Sequence, residues 1–563
     1  MKANPNAKVI TRLHLNPPYF WLRAHRSELL AYTERENLDG RTVYRDLPLT
    51  DSGTYGERTI ARKHLASELR ASMGSTVWLH DVCEILRQLC AKVKAHPLGE
   101  ALIGIQVANG HCGEWHMWPR SDYGQAMNGL YRRMLQKIYL DLNDFRRHYG
   151  ENATFDTVRM ATAEEMDRPF LTERVLDRDR YARELDSMRA FSYASAEAIS
   201  TLAACIKEAW GREMMVGAFY CYFFSTGGPS SAHFEIDRIL NNPDIDFLAA
   251  PSAYGNNKKS GNMNFIRYVA ESCRLHGKLM LAEMDQGYRS VNQTEKCLYV
   301  CESEEEYASL MKRNIMENII LGNGAWYYDH RVVPSDIHVK EEYWNNEERL
   351  HTVKVLQDTC EKLLLKPYKK TTDVLLVVDA KSKLYTKQSE LSFGVIDALG
   401  KSGVGFDRIY LSDLCQCDLS RYRTVIFHNC LSIERKTYDF IREKVMNDGR
   451  AVILAGGFGL VIEEEKASLQ GEILSDTENE SCRIVVMEKT STDPSLYREI
   501  FRKAGAHIYS DGGEVIIADN ELVMIHCKDR AEVTLHLQNQ TVTFPCEKFE
   551  TRVYHTQTGE RIL

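Results

Sequence analysis

Up to about residue 330 the chain alternates short, almost uninterrupted apolar runs with amphipathic helical stretches. This alternation limits the fold more than any other feature. The runs fall at 8–14 (KVITRLH), 101–109 (ALIGIQVAN), 214–223 (MMVGAFYCYF), 246–251 (DFLAAP), 278–285 (KLMLAEMD) and 325–329 (AWYYD). Strands apolar on both faces belong in a parallel sheet covered by helices on both sides, and the helical patterns at 77–96 and 193–210 supply such cover. The fold class is therefore α/β, as a (β/α)8 barrel or a doubly wound sheet. Residues 141–186 are dense in charge and poor in apolar periodicity, which reads as an excursion from the barrel rim.

A helical connector at 341–365 leads into a second alternating block, with strands at 373–378, 424–428 and 451–455 and helices near 390–400 and 434–446. This is expected to be a compact α/β sandwich. From about 506 the period becomes two, at 515–518, 522–526 and 532–537, as in a small antiparallel β-domain. The 563 residues thus divide into a barrel domain at 1–340, an α/β domain at 341–505 and a β-domain at 506–563. That agrees with a prior of roughly 150 residues per domain, or more for a barrel.

With 71 basic against 79 acidic residues, the net charge is −8, which argues against a non-specific nucleic-acid partner. No apolar run approaches the ~18 residues of a membrane span, and the opening MKANPN carries no signal-peptide core. The fifteen cysteines are odd in number and scattered, as expected of reduced thiols in a cytoplasmic protein. The pairs Cys297/Cys301 and Cys415/Cys417 lack a second pair to complete a zinc site, so no metal is expected.

Chemistry in a parallel barrel gathers at the carboxyl ends of its strands. Glu114 lies just past 101–109, and Glu283 lies within 278–285, sharing a strand face with Asp285 by the two-residue period. A buried carboxylate must be paired or functional. Two of them facing a cavity ringed by Trp115, Trp118, Tyr254, Trp326 and Tyr328 suit glycoside hydrolysis, which needs one protonated and one ionised carboxyl. The plainer alternative is ion pairing of either Glu with an arginine such as Arg12 or Arg289. His111, Cys112, Glu114 and His116 match no standard metal spacing, and His111 and His116 are expected to contact substrate or orient Glu114. Residues 227–230 (GGPS) lack the lysine of a phosphate loop and read as a substrate-side loop. Cys430 lacks the glycines of a nucleophile elbow and reads as structural.

The segments 8–22 (KVITRLHLNPPYFWL), 102–115 (LIGIQVANGHCGEW), 244–254 (DIDFLAAPSAY) and 274–285 (RLHGKLMLAEMD) resemble β-galactosidase-like glycoside hydrolases related to family 42 of the retaining clan A, together with the related β-mannosidases. Residues 372–457 resemble that family's amidotransferase-like trimerisation domain, and the C-terminus its small β-domain. The resemblance implies Glu114 as general acid/base and Glu283 as nucleophile, with Asp285 its competitor. It implies Asn109, His111, Trp115, Tyr254, Asp285, Arg289, Trp326, Asp329, Arg12 and His14 as sugar contacts, no cofactor, and a homo-trimer. Four residues separate Asn109 from Glu114, where the clan pattern has Asn followed directly by Glu. Residues 8–14 correspond to the family's third barrel strand, so an incomplete barrel with an exposed edge is expected.

The expected activity is a retaining exo-β-glycosidase on a small carbohydrate, β-galactosidase-like, with a β-mannosidase as the alternative within the clan. A catalytically inactive carbohydrate-binding or assembly protein is the alternative of another class. An amidotransferase is disfavoured by the missing elbow.

Overall fold

The computed structural model describes residues 4–38, 41–46, 70–110, 113–117, 121–222, 224, 231–252, 255–264, 266–285, 301, 303–328, 346–386, 393–446, 449–462, 465–466, 483–487 and 490–563. Six parallel strands form the first sheet: β1 (Val9–His14), β2 (Leu102–Ala108), β3 (Met215–Phe219), β4 (Phe247–Pro251), β5 (Leu279–Met284) and β6 (Gly324–Tyr327). Each pairs with the next in chain order. A doubly wound sheet reverses its order at a switch point; this one never does, so it curls as part of a (β/α)8 barrel. Among the described residues β1 and β6 do not pair. The outer edge of β1 is open enough to leave Val9 42% and Ile10 40% exposed.

Register brings the strand ends to one level. His14 lies beside Ala108, Pro251 beside Glu283, and Glu283 beside Trp326. Helix α1 (Thr76–Lys94) starts where Ser75 accepts the Trp78 N–H at 3.0 Å, and its apolar stripe buries Trp78, Leu79, Val82 and Leu86. It packs on α2 (Arg178–Trp210).

Segment 141–186 folds as the helices Leu142–Tyr149 and Ala163–Asp167 and the first turns of α2, which runs through the expected boundary. Its charge is part of what fixes it. Asp186 is fully buried, pairs with Arg178 at 3.0 Å and accepts the Tyr139 and Tyr149 hydroxyls at 2.7 and 2.9 Å. A hairpin, Tyr32–Leu38 with Arg41–Asp46, pairs with Ser121–Asp122 in a small antiparallel sheet that the apolar pattern does not announce.

The connector is the helix Glu347–Leu364. In the second domain, β7 (Val374–Val378), β8 (Phe406–Tyr410), β9 (Thr424–Ile433), β10 (Ala451–Ile462) and β11 (Arg483–Met487) run parallel in the order β8-β7-β9-β10-β11. That is the flavodoxin-like doubly wound order. β8 breaks the apolar-run rule because Asp407 and Arg408 are buried within it. Asp407 is satisfied by Lys370 at 3.2 Å and the Tyr422 hydroxyl at 2.6 Å. Cys430 sits inside β9, fully buried, its thiol pushed well up by burial, as suits a structural residue. The β-domain has five strands, with Val515–Asp519, Leu522–His526 and Thr551–His555 in one sheet and Ala531–His536 with Thr541–Cys546 in another.

Candidate active site

Glu114 reaches the rim on a loop that folds back on itself. The Trp115 N–H donates to the Asn109 carbonyl at 2.8 Å, and the Gly110 N–H donates to Asn109 Oδ1 at 2.8 Å. Gly110, Gly113 and Trp115 all take left-handed backbone, at φ +72°, +73° and +59°. The Trp115–Asn109 bond returns Glu114 to the neighbourhood of Asn109. The Nδ2 of Asn109 is buried and has no hydrogen-bond partner among the described residues.

Side chains of β1 close over this loop. A Cβ on Gly113 would lie 2.5 Å from His14 Cε1 and 3.1 Å from an Arg12 guanidinium nitrogen. Gly113→Ala is therefore expected to cost about 1–2 kcal/mol in backbone strain alone. It should also lower kcat/KM about tenfold by pushing His14 and Arg12 aside, as urea unfolding and steady-state kinetics would report.

The main chain of Glu114 is anchored by His233. Backbone N–H of Tyr222 donates to His233 Nδ1 at 3.2 Å, so the ring proton sits on Nε2 and donates to the Glu114 carbonyl at 2.8 Å. Burial, then the neighbouring His116, holds His233 well below the usual imidazole range, and it is neutral. His116 stacks on it with ring centres 4.3 Å apart. Its Nδ1–H is directed at the Ser231 carbonyl at 2.9 Å, which leaves Nε2 3.8 Å from Glu114 Oε2.

Burial raises the Glu114 carboxyl above its ordinary range, while Arg267, Arg12 and the Tyr222 hydroxyl oppose the rise. Glu283 is 7% exposed, and burial followed by the Asp285 charge pushes it up to about 7; Glu114 adds to the rise and Arg12 opposes it. The Trp326 indole N–H donates to Glu283 Oε2 at 3.3 Å. Both carboxyls act on Tyr222 as well, so the two share one electrostatic field. Arg12 is fixed over the Phe219 ring at 4.3 Å. Arg267 donates to the Ser252 carbonyl at 3.0 Å. Burial raises both carboxyls, and the Glu114 charge adds to the rise at Glu283.

Asp285 is engaged differently. It accepts Lys258 Nζ at 2.5 Å and the Ser252 hydroxyl at 2.8 Å, with Lys258 only 1% exposed. Its charge is committed to a buried pair, whereas among the described residues no cation pairs directly with Glu283.

Of the residues expected at the site, Arg12, His14, Asn109, Glu114, Glu283, Asp285 and Trp326 gather at one end of the sheet. Trp115 does not. Its ring is fully buried in the core with its N–H bonded to the Val107 carbonyl at 3.0 Å, because the left-handed turn points it beneath the loop. Tyr328 is 43% exposed. His111, Trp118, Tyr254, Arg289, Asp329 and the 227–230 loop lie outside the described residues. Tyr222, His233, Lys258 and Arg267 are additional members. Tyr222 was traceable as a residue at the end of the apolar run 214–223; nothing in the sequence marked the other three. Among the described residues no cluster of three or more His, Cys, Asp or Glu side chains could hold a metal.

No protein-family model matches the sequence, and no curated protein matches it. Solved structures do match by shape. A β-galactosidase from the psychrophilic Marinomonas ef1 superposes with a TM-score of 0.66 at 12% identity, covering 98% of this chain and 90% of that one. A catalytic mutant of a GH42 β-galactosidase from G. stearothermophilus gives 0.62 at 11% identity, covering 97% and 88%. An exo-carrageenase of GH42 from Bacteroides ovatus gives 0.55 at 11% identity, covering 87% and 70%. The fold of this chain is that of the GH42 β-galactosidases.

Proposed function

We propose that this chain is a retaining exo-β-glycosidase that removes terminal β-galactosyl residues from small carbohydrates. The observation that carries the reading is the pair of carboxyls, Glu114 past β2 and Glu283 on β5, raised by burial in one field at the carboxyl end of a barrel sheet. The fold shared with GH42 β-galactosidases supports it.

In this reading Glu114 donates its proton to the glycosidic oxygen as ionised Glu283 attacks the anomeric carbon. Ionised Glu114 then deprotonates the water that releases the sugar from Glu283. The two carboxyls then stand about 5–5.5 Å apart during reaction. Asn109 Nδ2, the one donor of that side chain, is suited to a sugar hydroxyl, and Arg12, His14 and Trp326 line the same rim. Assembly as a homo-trimer through the second domain, in a reducing cytoplasm, completes the proposal.

The test is turnover of aryl β-D-galactoside, β-D-mannoside and β-D-glucoside, with proton NMR of the first-formed anomer and light scattering of the assembly. Fastest turnover of the galactoside with retained configuration is expected. Fastest turnover of the mannoside moves the assignment to β-mannosidase. No turnover of any aryl glycoside overturns the catalytic reading in favour of a carbohydrate-binding or assembly role.

A further inference from the structure

Residues 255–264, between β4 and the helix Ala270–Leu275, begin at the site and are gripped by all three domains. From the barrel, Arg313, fully buried in the helix Glu304–Ile320, donates to the carbonyls of Lys259, Asn262 and Asn257 at 2.8, 2.7 and 3.1 Å. Glu306 of the same helix accepts the Ser260 hydroxyl at 2.6 Å. From the second domain, Asp397 accepts the Met263 N–H at 2.8 Å and Lys401 donates to Asn262 Oδ1 at 2.9 Å.

From the β-domain, fully buried His526 accepts the Gly261 N–H on Nε2 at 2.9 Å. Its other nitrogen therefore carries the proton and donates to Thr551 Oγ1 at 2.9 Å, and the Thr551 hydroxyl donates onward to the Ser309 carbonyl at 3.0 Å. Every donor in this chain is assigned, so the neutral imidazole fits in one orientation only. Gly261 sits at φ +77°, and a Cβ there would lie 2.6 Å from Lys528 Cβ, so only glycine passes beneath the β-domain. What this grip holds in place is Lys258, whose ammonium meets Asp285 Oδ1 at 2.5 Å and the Asp285 carbonyl at 2.9 Å.

We propose that Lys258 is a positioning residue that sets the charge state of Glu283 by neutralising Asp285, and that the two later domains clamp the loop that delivers it. Among the described residues, the groups acting on Glu283 are Asp285 two residues along its strand, Arg12 from β1, Glu114 from the loop after β2, Tyr222 past β3 and Trp326 on β6. Of these, Asp285 is the one whose charge Lys258 cancels directly. The catalytic meaning rests on the glycosidase reading; the clamp and the titration do not.

The experiment follows the Glu283 carboxyl by infrared difference titration against Glu283→Gln, and the 255–264 amides by hydrogen exchange. In Lys258→Met the Glu283 titration should move up by about one pH unit, and in Lys258→Arg by less. The acid limb of kcat/KM should move with it. An unmoved titration in Lys258→Met overturns the charge-setting role. In His526→Leu, exchange across 255–264 should rise at least roughly tenfold, whereas His526→Gln, which keeps an acceptor for Gly261, should retain most of the protection. Asp397→Ala, at a partly exposed side chain, tests the second domain's grip should His526→Leu fail to fold. Wild-type exchange rates in the folded variants overturn the clamp. A wild-type chain without glycosidase turnover sinks the functional reading alone, because neither of these readouts needs turnover.

Discussion

Glu283→Gln should lose about four orders of magnitude in kcat on an aryl β-galactoside, close to 5 kcal/mol of transition-state stabilisation, while making the folded protein more stable. The activity loss follows from removing the nucleophile. The stability gain follows from the environment. Burial and Asp285 raise this carboxyl from an ordinary 4.5 to about 7, so its protonated form suits the fold. Its contribution is present below the unfolded value and lost as pH rises through about 7. At pH 8 the ionised group costs about 3 kcal/mol, which the neutral amide relieves. Thermal denaturation should therefore show Glu283→Gln melting several degrees above wild type at pH 8, with the gap closing toward pH 5. A variant that is inactive and equally destabilised at both pH values would make Glu283 a structural carboxylate. In the wild type, kcat/KM should fall as pH drops below about 7, where the nucleophile takes up its proton.

Glu114→Ala should separate the two chemical steps. A substrate whose leaving group needs protonation should lose about 10²–10⁴-fold in kcat/KM, whereas an activated aryl glycoside loses far less, because its departure needs no acid. Added azide should restore turnover of the activated substrate and give the β-configured glycosyl azide, since the anion enters on the face that Glu114 leaves open. The same anion added to Glu283→Ala should give the α-configured product. Equal losses on both substrate classes, with no azide product, would remove Glu114 from the acid/base role and leave it a partner of Arg12 and Arg267.

Much of the architecture was legible because the first six apolar runs are the strands of a buried parallel sheet, and each appears within a few residues of its expected place. Elements held by polar contacts were not. β8 carries buried Asp407 and Arg408, and segment 141–186 is pinned by Asp186 and Arg178. Hydrophobic periodicity is blind to a charge that finds its partner only in the fold. At the candidate site, the strand-end rule pointed to Glu114 and Glu283, and it set Trp115 at the cavity, whereas its ring lies in the core, because a positive φ reverses a side chain without leaving a trace in the apolar pattern.

The sequence by itself determined the α/β class, since that follows from local periodicity, and it led to the expectation of three units and to two candidate glutamates through the chemistry of residue types. Only the tertiary structure decided between barrel and doubly wound sheet, through a strand order that never reverses. It also set Asp285 apart from Glu283, because the buried Lys258 that pairs with Asp285 arrives from a different loop. Contacts between residues distant along the chain set both outcomes, and a linear pattern does not encode which distant cation will reach which carboxylate.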